Sequence, residues 1–394
     1  MRRLGLGVAV LAVASSALVV SGPAQADQAV PVANGKVALT GLGYGHGHGM
    51  SQYGANGAAA KGLTYAQILA YYYPGTALGS VGTTLRVLVT ADTGKDTAVL
   101  PARNLRVRDT ADGKTFVLPA WTSVSRWRIV PHQGSSVSKV QYLSGGKWRR
   151  WTIPGRTNLK GQGEFKASVP TRLVLPNGTT RQYRGWLRNA KTPSGGGTRG
   201  TLNVISLEKY VQGVVASEMP SSWRPAALQA QSVAARTYAV TLQRSRSKQW
   251  YHLCDTTACQ VYGGYSKEAA TTNDAIKATR GRIVTYRGAS AFTQFSSSSG
   301  GFMAKGSVPY LAAKADEYDP ATAWKSSITV SRVASAYPSI GTLRSVQVVA
   351  RDGNGRWGGR VRTLRLHGSK KSMNISGDKA RSVFGLRSTW FTAG

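Results

Sequence analysis

The fold of this chain is decided by residues 207–240, which read LEKYVQGVVASEMPSSWRPAALQAQSVAARTYAV. Apolar residues recur at helical spacing on both sides of Pro220, so two helices are predicted, with a break at that proline. The first helix is expected to end at Glu218. The second has Ser222 as its expected N-cap and Pro225 in its first turn. Glu218 therefore lies at a helix end, where a carboxyl group can be partly desolvated and still face a groove.

Acidic residues are scarce in this chain, which has 51 Lys and Arg against 16 Asp and Glu in 394 residues. Among the glutamates, Glu218 alone is framed by an apolar helix face, a methionine and a proline. The residues by themselves leave two roles open for it. It is either an acid/base, or a structural group that caps the second helix or pairs with Arg224 or Arg236.

The same stretch resembles the core of the SpoIID/LytB domain family, which comprises stage II sporulation protein D and its relatives. The shared pattern is a Leu-Glu-x-Tyr-Val start, then Glu-Met-Pro, then Ala-Leu-x-Ala-Gln-x-Val-Ala-Ala-Arg-Thr-Tyr. The enzymatic members are lytic transglycosylases of peptidoglycan, and the resemblance implies that Glu218 is the catalytic acid/base. It also implies substrate-binding roles for Gln231, Arg236 and Tyr238.

A second family pattern lies at residues 41–55, which read GLGYGHGHGMSQYGA. Its glycines let the backbone adopt positive φ and approach a ligand closely. The resemblance implies that His46, Ser51 and Gln52 line the substrate groove. His48 could ligate a metal together with His46, but it is expected instead to stabilise the tight loop through its ring N–H. In most relatives this pattern follows a Gly-Leu-Arg-Ser-Thr-Trp-Phe strand, which here occupies 385–391. The chain therefore resembles a circular permutation, which is tolerable if the two ends meet in space.

Two later segments match the family as well. The first supplies Gln260 and Tyr262, and the second supplies Ser298, Ser299 and Gly300. In the family, the serine/glycine run borders the substrate groove, and hydroxyls with exposed backbone N–H groups suit the recognition of sugar hydroxyls. These residues are therefore expected to bind substrate.

Cys254 and Cys259 are the two cysteines of the chain. In an exported protein, two cysteines so close together in a loop most simply form a disulfide. The alternative is a zinc site made by both cysteines with His252, which some family members suggest. No other cofactor is expected.

Residues 1–26 have the features of a secretion signal: two arginines at the start, an apolar run, and Ala24-Gln25-Ala26 as a cleavage site. An uncleaved anchor is the alternative, because the apolar run is close to the length of a short membrane span. The expected location is secreted or in the cell wall.

Four regions are predicted: the signal at 1–26, the glycine-rich segment at 37–76, a β-rich subdomain at 83–195, and the catalytic core at 200–391. Between 83 and 195, short alternating runs separated by turns such as Asn177-Gly178 indicate antiparallel hairpins. Residues 194–200 are expected to be a flexible link. The predicted fold class is α+β, with antiparallel β-sheets and a helical catalytic centre.

Within the predicted core, residues 291–295 and 328–333 are expected to form strands. Residues 310–324, which include Asp316 and Asp319, are expected to form a loop.

The formal net charge of +35 favours polyanionic partners. For an exported protein these are anionic wall polymers, and no nucleic-acid module is recognisable. Arginines beside tryptophans in the β-rich region indicate either protection of sheet edges or a polymer-binding surface.

As the resemblance implies, the expected function is lytic cleavage of peptidoglycan glycan strands. The alternative is a non-catalytic wall-binding protein that enhances a partner amidase, as the LytB branch is thought to do.

Overall fold

The computed structural model describes residues 26–132, 137–194 and 198–394. The predicted secretion signal lies outside the described residues except for Ala26, and so does the centre of the predicted link at 194–200. The described residues form two compact units. The central unit comprises Thr40–Lys325 and Arg387–Trp390; the terminal unit comprises the described residues up to Leu39, Ser326–Leu386 and Phe391–Gly394.

The described residues form seven α-helices: α1 (Gln52–Ala60), α2 (Tyr65–Tyr72), α3 (Leu207–Glu218), α4 (Pro225–Ser245), α5 (Ala270–Ala278), α6 (Val330–Ala336) and α7 (Gly377–Phe384). The predicted break at Pro220 is confirmed, and Pro225 is the first residue of α4. The predicted cap at Ser222 was wrong, because Arg224 holds the N-cap position and makes no capping hydrogen bond through its side chain. None of these helices combines the length and the apolar character needed to cross a bilayer.

The strands of the described residues are β1 (Val30–Pro31), β2 (Lys36–Leu42), β3 (Met50–Ser51), β4 (Ala77–Ser80), β5 (Thr84–Leu88), β6 (Thr97–Val99), β7 (Arg106–Asp109), β8 (Thr115–Val117), β9 (Val124–Pro131), β10 (Ser138–Ser144), β11 (Lys147–Arg150), β12 (Gly163–Lys166), β13 (Thr171–Val174), β14 (Thr180–Tyr183), β15 (Trp186–Lys191), β16 (Arg199–Ser206), β17 (Leu253–Cys254), β18 (Arg282–Tyr286), β19 (Ala289–Ser290), β20 (Phe295–Ser296), β21 (Phe302–Met303), β22 (Lys314–Ala315), β23 (Ala323–Thr329), β24 (Leu343–Arg351), β25 (Val361–Gly368), β26 (Ser372–Ser376) and β27 (Phe391–Ala393).

Two large sheets form the β-rich part of the central unit. One has the strand order β17-β5-β16-β15-β12-β7-β8, and the other has the order β11-β10-β9-β6-β13-β14. Neighbouring strands are antiparallel except β17, which pairs parallel with β5. Residues from both sheets, among them Phe165 and Trp127, share one hydrophobic core with Val214 of α3. The fold is therefore a mixed α+β fold, as predicted, while a catalytic role for its helices stays a prediction.

Helix α4 is buried on two sides within the central unit. Ala235 and Ala239 pack into the core shared with the sheets and α3, whereas Ala230 and Ala234 pack into a second core with α1 and α2. Alanines at these positions let neighbouring elements approach the α4 backbone closely. This helix therefore links the β-rich part of the unit to its helical part.

Three local predictions differ from the structure. Residues 328–333 were expected to form a strand, but β23 ends at Thr329 and α6 follows, because the Thr329 side chain accepts a hydrogen bond from the Arg332 N–H and caps the helix. Residues 291–295 were also expected to form a strand, but the strand β20 starts at Phe295. Strand β12 was missed, because its flanking glycine and a buried Glu164 hide the apolar alternation.

The terminal unit contains a four-stranded sheet in the order β1-β24-β25-β26. Its buried Arg351 pairs with Asp27 at 2.6 Å and also donates to the carbonyl oxygens of Gly359 and Phe391. A buried guanidinium is tolerated here because several acceptors surround it.

Two glycine-rich loops of the central unit, one around Gly43 and the other around Gly300, pack against each other. Tyr44 and Ser298 exchange backbone hydrogen bonds of 2.9 and 3.0 Å, and the Gly45 N–H donates to the Arg387 carbonyl at 2.8 Å. Gly300 has a φ of +78°, and a Cβ there would lie 2.8 Å from the Gly43 nitrogen. Glycine is therefore required at this approach for both conformation and space. Residues 387–390 thus lie beside residues 42–45, which is the proximity that the permuted order requires.

Two buried carboxylates hold these loops in place. Asp319 accepts hydrogen bonds from the hydroxyls of Ser51 and Ser298 and from the backbone N–H of Ser299 and Ala321, at 2.6 to 2.9 Å. Asp316 accepts hydrogen bonds from the hydroxyls of Tyr72 and Ser299. We call Ser51, Ser298, Ser299, Asp316 and Asp319 the serine–aspartate network.

The structure contains the predicted disulfide between Cys254 and Cys259. It closes a short loop after β17, and the Cys254 N–H donates to the Cys259 sulfur. The loop leads directly into residues 260–262.

We predict that the oxidised protein has no thiol accessible to labelling. Replacing both cysteines by serine should lower the free energy of unfolding by about 2 kcal/mol, because the unfolded chain regains the entropy of a short loop. Denaturant unfolding measures this, and the reduced wild type is the matched control. Two reactive thiols with stoichiometric bound zinc would contradict the assignment.

We also predict that Asp319→Ala lowers the free energy of unfolding by about 3 kcal/mol or more, because it leaves several buried hydrogen-bond donors without an acceptor. The matched control is Glu317→Ala, two residues away at an exposed position, which should change stability little. An equal effect of the two substitutions in chemical denaturation would show that the network does not stabilise the unit.

Candidate active site

Glu218 is the last residue of α3. The helix stops there because Met219 adopts an extended conformation (φ −127°, ψ 142°) ahead of Pro220. The Glu218 carboxylate is half-buried, and its Oε1 accepts a hydrogen bond of 2.9 Å from the Val261 N–H. The side-chain amide of Gln52 lies close enough to stabilise the ionised carboxylate as well. Glu218 makes no ion pair within the described residues, so the structural alternative of pairing with Arg224 or Arg236 does not hold there.

Burial raises the pKa of Glu218 above its ordinary value. The hydrogen bond from the Val261 N–H and the nearby Gln52 amide act in the opposite direction, because they stabilise the ionised form. A carboxyl group whose pKa is raised by burial and lowered by hydrogen bonds can hold a proton, and it can act as a base after it has released that proton.

Gln52 is the first residue of α1 and is almost completely buried. Its Nε2 lies 3.5 Å from Oε1 of the fully buried Gln231 on α4. The two amides thus connect α1, α4 and the end of α3 around Glu218. The structure therefore brings together residues from both of the sequence patterns.

Tyr238 also lies near Glu218. Burial raises the pKa of the Tyr238 phenol and the charge of Glu218 raises it further, while Arg246 lowers it. The ring is half-buried and stacks on Phe292 at 5.4 Å. Gln231 and Tyr238 are seven residues apart on α4, which places them within about 20° of each other around the helix axis.

Arg236 is not in the groove. It is five residues from Gln231 and therefore about 140° around α4. Its side chain is fully buried and forms a bidentate pair with Glu208, at 2.8 and 3.0 Å. It also donates to the carbonyl oxygen of Arg282. In this structure Arg236 joins α3 and α4, while its substrate-binding role stays a prediction.

The predicted serines are also engaged internally. The hydroxyls of Ser51, Ser298 and Ser299 donate to Asp319 or Asp316, and all three residues are buried. Gly300 is buried where it meets Gly43. These positions shape the wall of the site, and their hydroxyls are not available to a sugar in this structure.

Gln260 and Tyr262 are buried on either side of Val261. Gln260 accepts a hydrogen bond from Tyr210 and donates to the Ala235 carbonyl, and the Tyr262 hydroxyl donates to Asn203 at 2.7 Å. Both side chains therefore fix the segment whose Val261 N–H reaches Glu218. This backbone donor was missed, because a sequence pattern shows side chains and not N–H directions.

His46 is half-buried, and its Nδ1 accepts a hydrogen bond of 2.9 Å from the His48 N–H. The two rings stack with their centroids 5.0 Å apart. His48 Nδ1 lies 3.4 Å from the Ala304 carbonyl oxygen. Both histidines thus stabilise the glycine-rich loop, as expected for His48.

Exposed aromatic rings flank the two patterns. Tyr44 and Tyr53 are 54% and 46% exposed, and Tyr53 packs edge-on against Trp223 with centroids 4.9 Å apart. Tyr53 directly follows Gln52, and Trp223 lies between α3 and α4. These rings were not predicted from the sequence, although an aromatic residue inside a glycine-rich run is a usable signal for sugar stacking.

The zinc alternative at His252 has a specific obstacle. Nδ1 of His252 accepts a hydrogen bond from the Arg86 N–H, so this ring nitrogen is already engaged. The pKa of His252 is lowered to about 4 by burial and by the charge of Arg86, and the resulting neutral ring does not itself oppose zinc. Zinc would need the thiolates of Cys254 and Cys259, which the disulfide engages. Within the described residues, no group of three or more His, Cys, Asp or Glu side chains is placed to hold a metal.

Part of this chain is similar to a known protein family and to several curated proteins. Residues 196–286 match the family model described as Stage II sporulation protein. The chain is 43% identical over 128 residues to the Amidase enhancer of Bacillus subtilis (strain 168). The aligned region covers 31% of this chain and 17% of that protein. It is also 30% identical over 213 residues to Stage II sporulation protein D of Bacillus amyloliquefaciens. That alignment covers 48% of this chain and 60% of that protein.

Stage II sporulation protein D of Bacillus subtilis (strain 168) is 35% identical over 136 residues, or 29% of this chain and 40% of that protein. The chain thus spans less than two thirds of the length of each of these relatives. The region matched by the family model contains Glu218, α4 and the disulfide loop. Residues 196–286 of this chain are thus similar to the SpoIID domain, and the relatives named above share that similarity.

Proposed function

We propose that this protein is a peptidoglycan lytic transglycosylase in which Glu218 is the acid/base. The observation that carries the proposal is the environment of Glu218: a half-buried carboxyl group with a raised pKa, held by the Val261 N–H and Gln52 without a countercharge among the described residues. Such a group retains its proton at a higher pH than an ordinary glutamate, as a general acid requires.

The proposed reaction needs one carboxyl group. Protonated Glu218 gives its proton to the glycosidic oxygen as the bond from C1 to that oxygen breaks, and the leaving sugar departs as an alcohol. The 6-hydroxyl of the N-acetylmuramic acid residue then bonds to C1 and gives its proton to the Glu218 carboxylate. The product carries a 1,6-anhydro ring, and the enzyme returns to its starting state.

Hydrolytic glycosidases use a second carboxylate to activate water or to form a covalent intermediate. Here Asp316 and Asp319 are committed to the serine–aspartate network, where they accept hydrogen bonds from serine and tyrosine hydroxyls. Their engagement supports an intramolecular hydroxyl as the nucleophile. The exposed Tyr44 and Tyr53 offer ring faces for sugars beside the site.

The proposed setting is the cell wall outside the membrane, with glycan strands as substrate and anionic wall polymers as further partners. The net charge of +35 supports attraction to those polymers. No cofactor takes part in the proposed steps.

A second candidate function is supported by the 43% identity to a protein named Amidase enhancer. In that case the chain would bind the wall and stimulate an amidase without turnover. The two functions differ in whether the chain alone releases fragments that carry anhydro ends.

We predict that Glu218→Gln lowers the release of anhydro-ended fragments from purified glycan strands by about 100-fold or more, because the amide has nearly the same shape but transfers no proton. Mass analysis of the released ends measures this, and wall binding by the same variant is the control. Equal release by both proteins would remove Glu218 from the mechanism. If neither protein released fragments, the amidase-enhancing function would replace the enzymatic one.

The raised pKa of Glu218 also predicts how stability depends on pH. Ionisation costs more in the folded state than in the unfolded state, so Glu218 weakens the fold as pH rises through the folded-state pKa. Glu218→Gln should therefore raise Tm at neutral pH, and the gain should shrink as pH falls towards the unfolded value of about 4.3. A Tm difference that does not change with pH would contradict the burial of this carboxyl group.

A further inference from the structure

One face of the seven-stranded sheet carries cations that the proposed reaction does not use. The register pairs Lys166 of β12 with Arg106 of β7, and pairs Glu164 of β12 with both Arg108 of β7 and Arg188 of β15. Because side chains alternate along a strand, all five side chains lie on the same face of the sheet.

The opposite face of these strands is the core, where Val107 and Phe165 are fully buried. Lys209 of α3 lies close enough for its charge to act on Lys166. We call the following cations the basic face: Arg106, Arg108, Lys166, Arg188 and Lys209.

The charge of the basic face is largely uncompensated. Its acidic residue, Glu164, is fully buried, and it accepts hydrogen bonds from Nε of Arg108 at 2.5 Å and from Nε of Arg188 at 2.9 Å. Within the described residues, Arg106, Lys166 and Lys209 make no ion pair. The basic face therefore has five cations and a single buried carboxylate to compensate their charge.

Repulsion among these cations is visible at Lys166. Burial lowers the pKa of its amine, and the neighbouring charges of Lys209, Arg106 and Arg108 lower it further. Nε of Arg106 is buried and has no hydrogen-bond partner within the described residues. A polyanion on this face would relieve the repulsion.

Trp186 holds part of the basic face in a fixed arrangement. The Arg108 guanidinium lies 4.1 Å from the centroid of the Trp186 ring, and the Lys166 amine lies 5.4 Å from it. Cation–π contacts and the two bonds to Glu164 restrict side chains that would otherwise be mobile. A ligand therefore meets cations that are already ordered, which lowers the entropy cost of binding.

We propose that the basic face binds an extended phosphodiester polymer of the cell envelope. Alternate residues on a strand lie about 6.7 Å apart and neighbouring strands about 4.8 Å apart, so the cations form a row that one small anion cannot span. A chain of phosphodiesters presents one charge per repeat and can engage Arg106, Lys166 and Lys209 together. The availability of such a polymer rests on the wall setting of the proposed function, but the binding does not depend on Glu218.

A polymer fits this face better than a lipid bilayer does. Peripheral binding to a bilayer combines cations with apolar side chains that enter the lipid. On the basic face, Trp186 is half-buried and covered by Arg108 and Lys166, so its ring is not free to insert. Charge complementarity without an apolar anchor favours a soluble polyanion.

The test compares two double variants of equal charge. Arg106→Gln with Lys166→Gln removes two cations of the basic face and keeps the bonds to Glu164. Lys370→Gln with Lys371→Gln removes two exposed cations of the terminal unit. Binding of deacylated poly(glycerol phosphate) to the full chain is measured by titration calorimetry at two salt concentrations.

The basic-face variant should bind the polymer about tenfold or more weakly and with a shallower salt dependence, whereas the control variant should change affinity less than about twofold. Equal weakening in both variants would overturn the proposal, because net charge alone would then explain binding. A second result would also overturn the proposal: the basic-face variant binds the polymer as the wild type does but no longer binds vesicles that contain phosphatidylglycerol. The basic face would then bind a membrane.

The outcome is separable from the proposed function. The basic-face variant should cleave polymer-free glycan strands at the wild-type rate, because it keeps Glu218, Gln52 and Val261. A wild type without lytic activity but with polymer binding lost in the basic-face variant would refute the proposed function and support the basic face. Lost lytic activity in a folded basic-face variant would overturn its assignment as a separate site.

Discussion

The carboxylate of Asp319 is the interaction on which the candidate site depends. It accepts a hydrogen bond from Ser51, which in turn accepts one from the Gly54 N–H and so caps α1. The amide of the next residue, Gln52, lies near the Glu218 carboxylate and favours its ionised form. A buried carboxylate in one loop therefore sets the start of a helix, and the start of that helix sets the surroundings of the proposed acid. The polar groups of this arrangement are acceptable in the interior because they satisfy each other.

Helix α4 gives the site its second support. One side of it presents Gln231 and Tyr238 towards Glu218, and another side carries the buried pair of Arg236 with Glu208 at the start of α3. The two ends of α3 are therefore fixed differently: the first by an ion pair to α4, the second by the turn at Pro220. Because leaving the fully buried Arg236 without its partner is costly, this pair holds the start of α3 against α4.

The sequence predicted the helices around Pro220, most hairpins, the disulfide and the closeness of the two glycine-rich segments. These features follow from local periodicity, turn residues and recognisable patterns. It did not predict that Arg236 and the serines turn inward, because a pattern identifies a residue without showing which partner competes for it. Asp316 and Asp319 were predicted to lie in a loop without a structural role, since two of their donors, Tyr72 and Ser51, lie more than 200 residues away in the sequence. The Val261 N–H was missed for the same physical reason: backbone direction is set by tertiary packing.

The pairing of residues 42–45 with residues 387–390 has a consequence for when the site forms. The Ser388 hydroxyl donates to the Leu42 carbonyl across a sequence separation of 346 residues. Contacts between such distant segments form late, because the entropy of closing the loop must be overcome before the contact stabilises anything. The glycine-rich loop beside Glu218 therefore reaches its final shape only after nearly the whole chain has been synthesised and folded. A nascent or truncated chain would lack this ordered loop, so the candidate site would be complete only once folding is complete.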